Sequence, residues 1–351
     1  MKKNFEVKTV DEKFYEEKIR NFLPGRIIDV HTHIWLKGRG CNSAVRDGVV
    51  TWPSRVAEEN SAEDLMDSYK LLFPGKEVIP LLFNSPIVSK NLDILNRYVI
   101  QSAEKYKLPS LMLCRPDWTA EKFSERLEEG NFLGVKPYLN FAPADIPGDK
   151  VCIFDFMPRH QLEALNRTGK ILLLHIPRPG RLKDKVNLAQ MLEIERRYPE
   201  IKLIIAHVGR AYCPEDIGDA FSVLKDTKMF FDISANTNEK VFLQLIEAVG
   251  PGRILFGSDM PITRMRMRRI CENGIYINFV PSGMYGDVSG DKNMREVSGA
   301  EAEELSFFLY EEIYAFLTAA GKTGLGKNEI ERVFYSNAAE LLKSAGFTEV
   351  I

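Results

Sequence analysis

The sequence predicts an α/β fold, a (β/α)8 TIM barrel with an N-terminal helix, a long first βα loop and a C-terminal helical extension. Three observations predict it. Short apolar, β-rich runs alternate with amphipathic stretches along most of the chain. Most of these runs are continuously hydrophobic, as Ile171-Leu172-Leu173-Leu174 is, which is how strands read when helices cover both faces of a parallel sheet. The chain has 351 residues, more than the ~250 of a typical barrel, and no linker-like stretch splits off a second domain.

The elements follow in order. Residues up to Pro24 are expected to form a leading helix. Strands are expected at 27–33, 78–83, 110–114, 133–138, 171–176, 202–207, 229–233 and 253–257. Between them, Ser61-Ala62-Glu63-Asp64 reads as a helix start, with the serine oxygen placed to accept from the backbone three residues on. Leu92, Leu95, Tyr98 and Val99 repeat at helical spacing. Leu162 and Leu165 precede Gly169, a helix stop, and Leu188, Met191, Leu192 and Glu195 run up to Tyr198-Pro199. Residues 34–60 form the long first βα loop. After Asp259 comes an extension with a Gly-rich patch at 282–290 and helices at 301–320 and 328–344. The whole reads as a single domain, 1–351, with the barrel at about 25–262 and the extension at about 263–351, and without repeats of solenoid length.

Composition narrows the function classes. The chain is 45% hydrophobic, 10% aromatic and 27% charged, which excludes wholesale disorder, collagen and a coiled-coil rod. The formal charge is −2, so neither nucleic acid nor an anionic membrane is an expected partner. No apolar run approaches the ~20 residues that span a bilayer. Acidic residues follow the opening Met1-Lys2-Lys3 at once, so no export signal is expected. The 5 cysteines, at 41, 114, 152, 213 and 271, are odd in number and form no CxxC, so neither a disulfide framework nor a cysteine zinc site is expected and a cytoplasmic setting fits.

The chemistry-bearing residues begin in Ile28-Asp29-Val30-His31-Thr32-His33. Alternate residues of a strand share a face, so Asp29, His31 and His33 point one way and the histidines lie at the strand's carboxyl end. Two neutral imidazoles at this spacing can bind one metal ion, although alone they fit two hydrogen-bonded core histidines equally well. His175 and His207 end the fifth and sixth strands and Asp259 follows the eighth. In a barrel these ends share one rim, so 4 of the 5 histidines converge there, which favours the metal.

That run, with Leu174-His175, Ala206-His207-Val208-Gly209 and Leu255-Phe256-Gly257-Ser258-Asp259-Met260-Pro261, resembles the amidohydrolase superfamily, and within it the amidohydrolase-2 branch of TIM-barrel metal-dependent hydrolases. That branch includes lactonases, other hydrolases and nonoxidative decarboxylases related to aminocarboxymuconate semialdehyde decarboxylase. The resemblance runs over about 27–261, with an echo at Ser336-Asn337-Ala338-Ala339-Glu340-Leu341. It implies that His31, His33, His175 and Asp259 ligate one divalent metal, with zinc the first choice for such a set and manganese or iron the alternatives. It implies that Asp259 also accepts a proton from water, and that His207 polarises the substrate, moves a proton, or holds a second ion. Some members carry a carboxylated lysine bridging two metals where Lys136 stands. A plain lysine directed at a substrate anion or a rim carboxylate is the preferred reading here.

Other residues are read more plainly. Asp29 either holds an imidazole N–H or serves the barrel interior as a structural carboxylate. Lys136, Arg178, Arg210 and Arg115 are candidate contacts to a substrate carboxylate, while for any single arginine a local ion pair or solvated position is the simpler expectation. Asn84 also follows a strand. His160 starts a helix outside the barrel. The glycine- and lysine-rich stretch 321–327 is a helix stop and a turn. Arg264, Arg266, Arg268 and Arg269 form a basic cluster after the eighth strand, from which one arginine could face the pocket, while the group is read as a solvated face or subunit contact. The resulting expectation is a hydrolase that uses metal-activated water on an amide, lactone or ester-like bond of a small molecule. The alternative is a nonoxidative decarboxylase of a carboxylated substrate, and behind it a non-catalytic metal-binding barrel. Loops 34–60 and 264–297 are expected to form the pocket wall, and a homo-oligomer is compatible.

Overall fold

The structure, a computed structural model, describes residues 5–37, 56–85 and 92–349. The leading helix is Thr9–Lys18. Barrel strands β1 (Arg26–Ile34) and β2 (Glu77–Asn84) pair in parallel, as do β3 (Gly134–Val135), β4 (Ile171–Leu174), β5 (Lys202–Ile205), β6 (Phe230–Asp232) and β7 (Ile254–Leu255) in that order. The segment 110–114 joins the two sheets by isolated bridges, Leu82 to Ser110 and Met112 to Val135. On the other side Val30 N donates to Phe256 O (3.0 Å), Asp259 N to His31 O (2.8 Å) and His33 N to Met260 O (2.9 Å). All eight expected strand positions are therefore present in one ring. Most paired segments are shorter than their apolar runs, because residues such as Ile176 and Ala206 stay buried after the ladder ends.

Side-chain alternation builds two apolar layers. Ile171 and Leu173 point into the barrel with Ile28, Val30, Leu111 and Ile204, while Leu172 and Leu174 meet the surrounding helices. Ala338, Leu341 and Leu342 of the helix Asn337–Ser344 join the inner layer, and Asn337 Nδ2 donates to Pro251 O and Ile254 O. The trailing sequence echo is thus a plug at the end of the barrel where the strands start. Helix starts follow their capping residues. Ser61 Oγ accepts from Asp64 N (3.0 Å), while Asp184 and Asn238 cap the helices Lys185–Arg197 and Glu239–Val249.

The extension departs from expectation. Residues read as a pocket-wall loop form a three-stranded sheet of β8 (Arg268–Glu272), β9 (Ile275–Pro281) and β10 (Met294–Val297). Its hairpin turns on Asn273-Gly274, both at positive φ (50° and 74°), a pairing that suits the twist of adjacent antiparallel strands. The run read as one helix over 301–320 is a short helix, Ala300–Glu303, followed by the helix Phe308–Lys322, with the backbone bridge between Arg266 and Phe307 separating them. The other half of the expected pocket wall, the 34–60 loop, lies for the most part outside the described residues.

Two further expectations are corrected. Cys213 and Cys271 form a disulfide that ties the loop after β5 to β8; a separation of 58 residues gave no spacing signal. The arginine cluster is not one solvated face, since Arg268 alone of the four is exposed. Arg264 and Arg266 are buried, and Arg266 makes a bidentate pair with Asp11 (2.9 and 2.6 Å) beneath the leading helix. Breaking a buried pair strands the remaining charge. Arg266→Met is therefore expected to lower unfolding free energy by about 3–5 kcal/mol in urea titrations, and adding Asp11→Leu should restore part of that loss.

Candidate active site

Five side chains converge at the carboxyl ends of the strands. Ligand atoms of His31, His207 and Asp259 all lie within 4.8 Å of one another. Asp259 Oδ1 is 3.5 Å from His31 Nε2 and 2.9 Å from His33 Nε2. The His175 ring stands 5.3 Å from that of His207, edge to face. Backbone geometry at the cluster is unusual. His207 and Asp259 adopt left-handed φ values of 55° and 59°, a conformation costing on the order of 1–3 kcal/mol that persists where surrounding structure imposes it, often at functional sites.

Asp232 organises the cluster from below. Its Oδ1 accepts from His207 N (2.8 Å), Ser234 N (3.1 Å) and Ser234 Oγ, and its Oδ2 accepts from His31 Nδ1 (2.9 Å). His207 Nδ1 faces Ser234 O at 3.1 Å. Tyr138 steadies His33, with its hydroxyl 3.2 Å from His33 Nδ1 and donating to Asn84 O. A buried Glu312 carboxyl, pushed well up by desolvation, accepts from Ala235 N and holds the turn after Ser234.

The electrostatics fit a divalent cation. Burial, reinforced by neighbouring cationic groups, lowers the pKa of His31 and His175 well below the ordinary imidazole value, and burial lowers that of His207. Burial would raise Asp259, but the hydrogen bond from His33 and the fields of His207, His31 and His33 outweigh it and bring its pKa to about 2. A neutral His31 that donates from Nδ1 to Asp232 turns the lone pair of Nε2 toward an ionised carboxylate 3.5 Å away. Two such donors face each other stably when a positive charge stands between them. Among the described residues, two more buried nitrogens, His175 Nδ1 and Lys136 Nζ, have no hydrogen-bond partner.

The sequence-derived candidates separate on this geometry. His31, His33, His175, His207 and Asp259 come together. His207 stands in the same tight donor set as His31 and Asp259, a place the sequence reading offered only for a second ion. Lys136 is buried beside Phe83 and Tyr138. Burial lowers its pKa to about 8 against the opposing fields of Asp232 and Asp259. The arginines engage their own loops. Arg115 pairs with Asp117 and Arg178 with Asp184, while Arg210 donates to the carbonyls of Ile176 and Pro177, bracing the loop behind His175. Asp29 is structural, accepting from His31 N, Ser258 N and Tyr69 Oη. His160 bonds Trp118 O away from the cluster. Asp232, Ser234 and Tyr138 were missed. Asp232 ends a barrel strand, the signal that a rim carboxylate leaves in sequence.

A sequence model of the family described as amidohydrolase matches residues 28–269. The chain belongs to the amidohydrolase family. No curated protein matches it. Solved structures share its fold. One is 2,6-dihydroxybenzoate decarboxylase complexed with 2,6-dihydroxybenzoate, at 13% identity over 91% of this chain and 100% of that one, with a TM-score of 0.54. Another is a dihydroxybenzoic acid decarboxylase from a Polaromonas species with bound manganese and 2-nitroresorcinol (14% identity, 91% and 97% covered, TM-score 0.52). A third is an amidohydrolase from Burkholderia multivorans with bound HEPES (12% identity, 90% and 99% covered, TM-score 0.58). At such identities these likenesses show the TIM-barrel fold. Family membership makes this amidohydrolase an enzyme, and its His31, His207 and Asp259 side chains have the donors and the spacing to hold a divalent metal. Among its described residues no helix is long and apolar enough to cross a membrane.

Proposed function

We propose that this amidohydrolase cleaves an amide, lactone or ester-like bond of a small, carboxylate-bearing molecule with water. The observation that carries the reading is the facing of the His31 Nε2 lone pair and the Asp259 carboxylate, with His207 in the same donor set. His31, His207 and Asp259 would hold the ion, with His33 and His175 beside them; zinc suits these donors first, then manganese or iron. When bound, the cation supplies Lewis acidity, polarising a carbonyl and making water nucleophilic near neutral pH.

The remaining steps belong to side chains. Asp259, ionised down to about pH 2, accepts a proton from the attacking water. His207, whose Nδ1 is engaged by Ser234, has Nε2 left as the nitrogen that would face the ion. Lys136 holds the substrate carboxylate with an ammonium that nothing else in the described chain pairs. The same lysine suits a second reading, nonoxidative decarboxylation, in which it anchors the carboxylate that departs as carbon dioxide and an acid in the cluster protonates carbon.

The test is a panel of lactones, amides, esters and aromatic acids offered to enzyme reconstituted with zinc, manganese or iron. Hydrolysis without carbon dioxide supports the main reading, and carbon dioxide release without water addition supports the second. Full turnover after exhaustive chelation would exclude both. Lys136 adds a pH signature. Its ammonium binds an anion below its pKa and loses that ability as pH rises, so KM should climb about tenfold per pH unit above ~8, and a dication nearby moves the limb lower. Lys136→Met should raise KM roughly 10–100-fold at low pH, erase that limb and leave metal content unchanged.

A further inference from the structure

The loop after the eighth barrel position carries a second cation that the cluster does not use. Arg264 is only 5% exposed, yet no carboxylate among the described residues lies within ion-pair distance of its guanidinium. Its side-chain hydrogen bond is from Nη1 to Ser68 Oγ (3.2 Å), and the guanidinium carbon stands 5.3 Å from the Phe5 ring centroid. Burial lowers its pKa to about 10, against the opposing field of Asp64. Buried charges in proteins are ordinarily paired, since desolvation without a counter-charge costs several kcal/mol.

Arg264 lines a cavity of about 270 Å³. Phe5, Val56, Met284 and Phe307 supply apolar wall. The other cations there are already engaged, Arg266 by Asp11 and Lys8 by Glu303 at 3.6 Å. Glu6, the acidic residue of the lining, is exposed. None of His31, His33, Lys136, His175, His207 or Asp259 lines the cavity. It is nevertheless joined to the cluster by one tight turn, in which Ile262 N donates to Asp259 O (2.9 Å) and Arg264 N to Pro261 O (3.0 Å).

We propose that this cavity is a second binding site, separate from the metal cluster, for a small organic acid whose carboxylate pairs with Arg264 and whose apolar body lies against Phe5 and Phe307. The planar guanidinium fork matches a carboxylate, and the aromatic and aliphatic wall favours an acid with a ring over acetate or inorganic phosphate. The inference is independent of the reaction proposed above.

Benzoate is the probe in solution and 4-bromobenzoate in crystals of the metal-loaded enzyme. Bromine anomalous scattering should place one peak in the cavity beside Phe5. By calorimetry, Arg264→Gln should weaken benzoate binding at this site at least tenfold, and acetate and phosphate should bind at least tenfold more weakly than benzoate. Met284→Trp narrows the cavity from its exposed wall without changing the guanidinium. It should weaken benzoate equally, which keeps the test decisive if Arg264→Gln does not fold. A bromine peak confined to the histidine cluster, benzoate affinity within twofold of wild type in the folded variants, or phosphate and chloride binding as tightly as benzoate (an adventitious ion only) would overturn the proposal.

Discussion

Asp259→Asn is expected to lower kcat/KM by roughly a thousandfold or more while the barrel stays folded. The amide has nearly the volume of the carboxylate. Asn tolerates the left-handed backbone at this position, where φ is 59°. The main-chain bonds from Asp259 N to His31 O and from Ile262 N to Asp259 O do not involve the side chain and remain. What disappears is a negative charge facing His33 at 2.9 Å and His31 at 3.5 Å, together with the group placed to take a proton from water. Metal content by mass spectrometry should fall in parallel with kcat/KM, and the thermal midpoint of the metal-free protein should change little. Near-wild-type turnover in a metal-replete Asp259→Asn enzyme would remove Asp259 from the mechanism.

Asp232→Asn tests the support beneath the cluster and should weaken metal binding about 10–100-fold. In wild type every group that meets this carboxylate is a donor: His31 Nδ1, His207 N, Ser234 N and Ser234 Oγ. The Asn oxygen can keep the three donors on the Oδ1 side, but its NH2 then meets His31 Nδ1, donor to donor. His31 resolves the clash by moving its proton to Nε2, which removes the lone pair it offers beside Asp259. Nitrogen-detected NMR of the imidazoles should show the tautomer change in the metal-free protein, and metal titration should show the loss of affinity. An unchanged tautomer with unchanged affinity would show that Asp232 serves the fold alone.

The barrel was legible because burial writes directly into composition. A strand covered on both faces must be apolar along its length, as 171–174 is, and helices between strands must carry apolar residues at helical spacing. The rim was legible for a related reason. Once strand order along the chain is known, His31, His33, His175, His207 and Asp259 each stand at a strand's carboxyl end, and a closed ring brings such ends together. Asp232 carried the same signature near the end of the expected strand 229–233 and was passed over. The β8–β9 hairpin also had its turn signal, Asn273-Gly274, hidden within a stretch read as loop.

Sequence alone was sufficient for the eight-strand order, the apolar alternation and the set of histidines on one rim, because these depend on local periodicity and on position along a strand. Tertiary structure decided the rest. It made Asp232 the acceptor that orients His31, paired Cys213 with Cys271 across 58 residues, and buried Arg266 against Asp11 while leaving Arg264 facing a cavity. Each of these depends on which remote side chain supplies a counter-charge or hydrogen-bond partner. Such pairings are long-range and individually small in energy, so they leave no periodic trace in the chain that forms them.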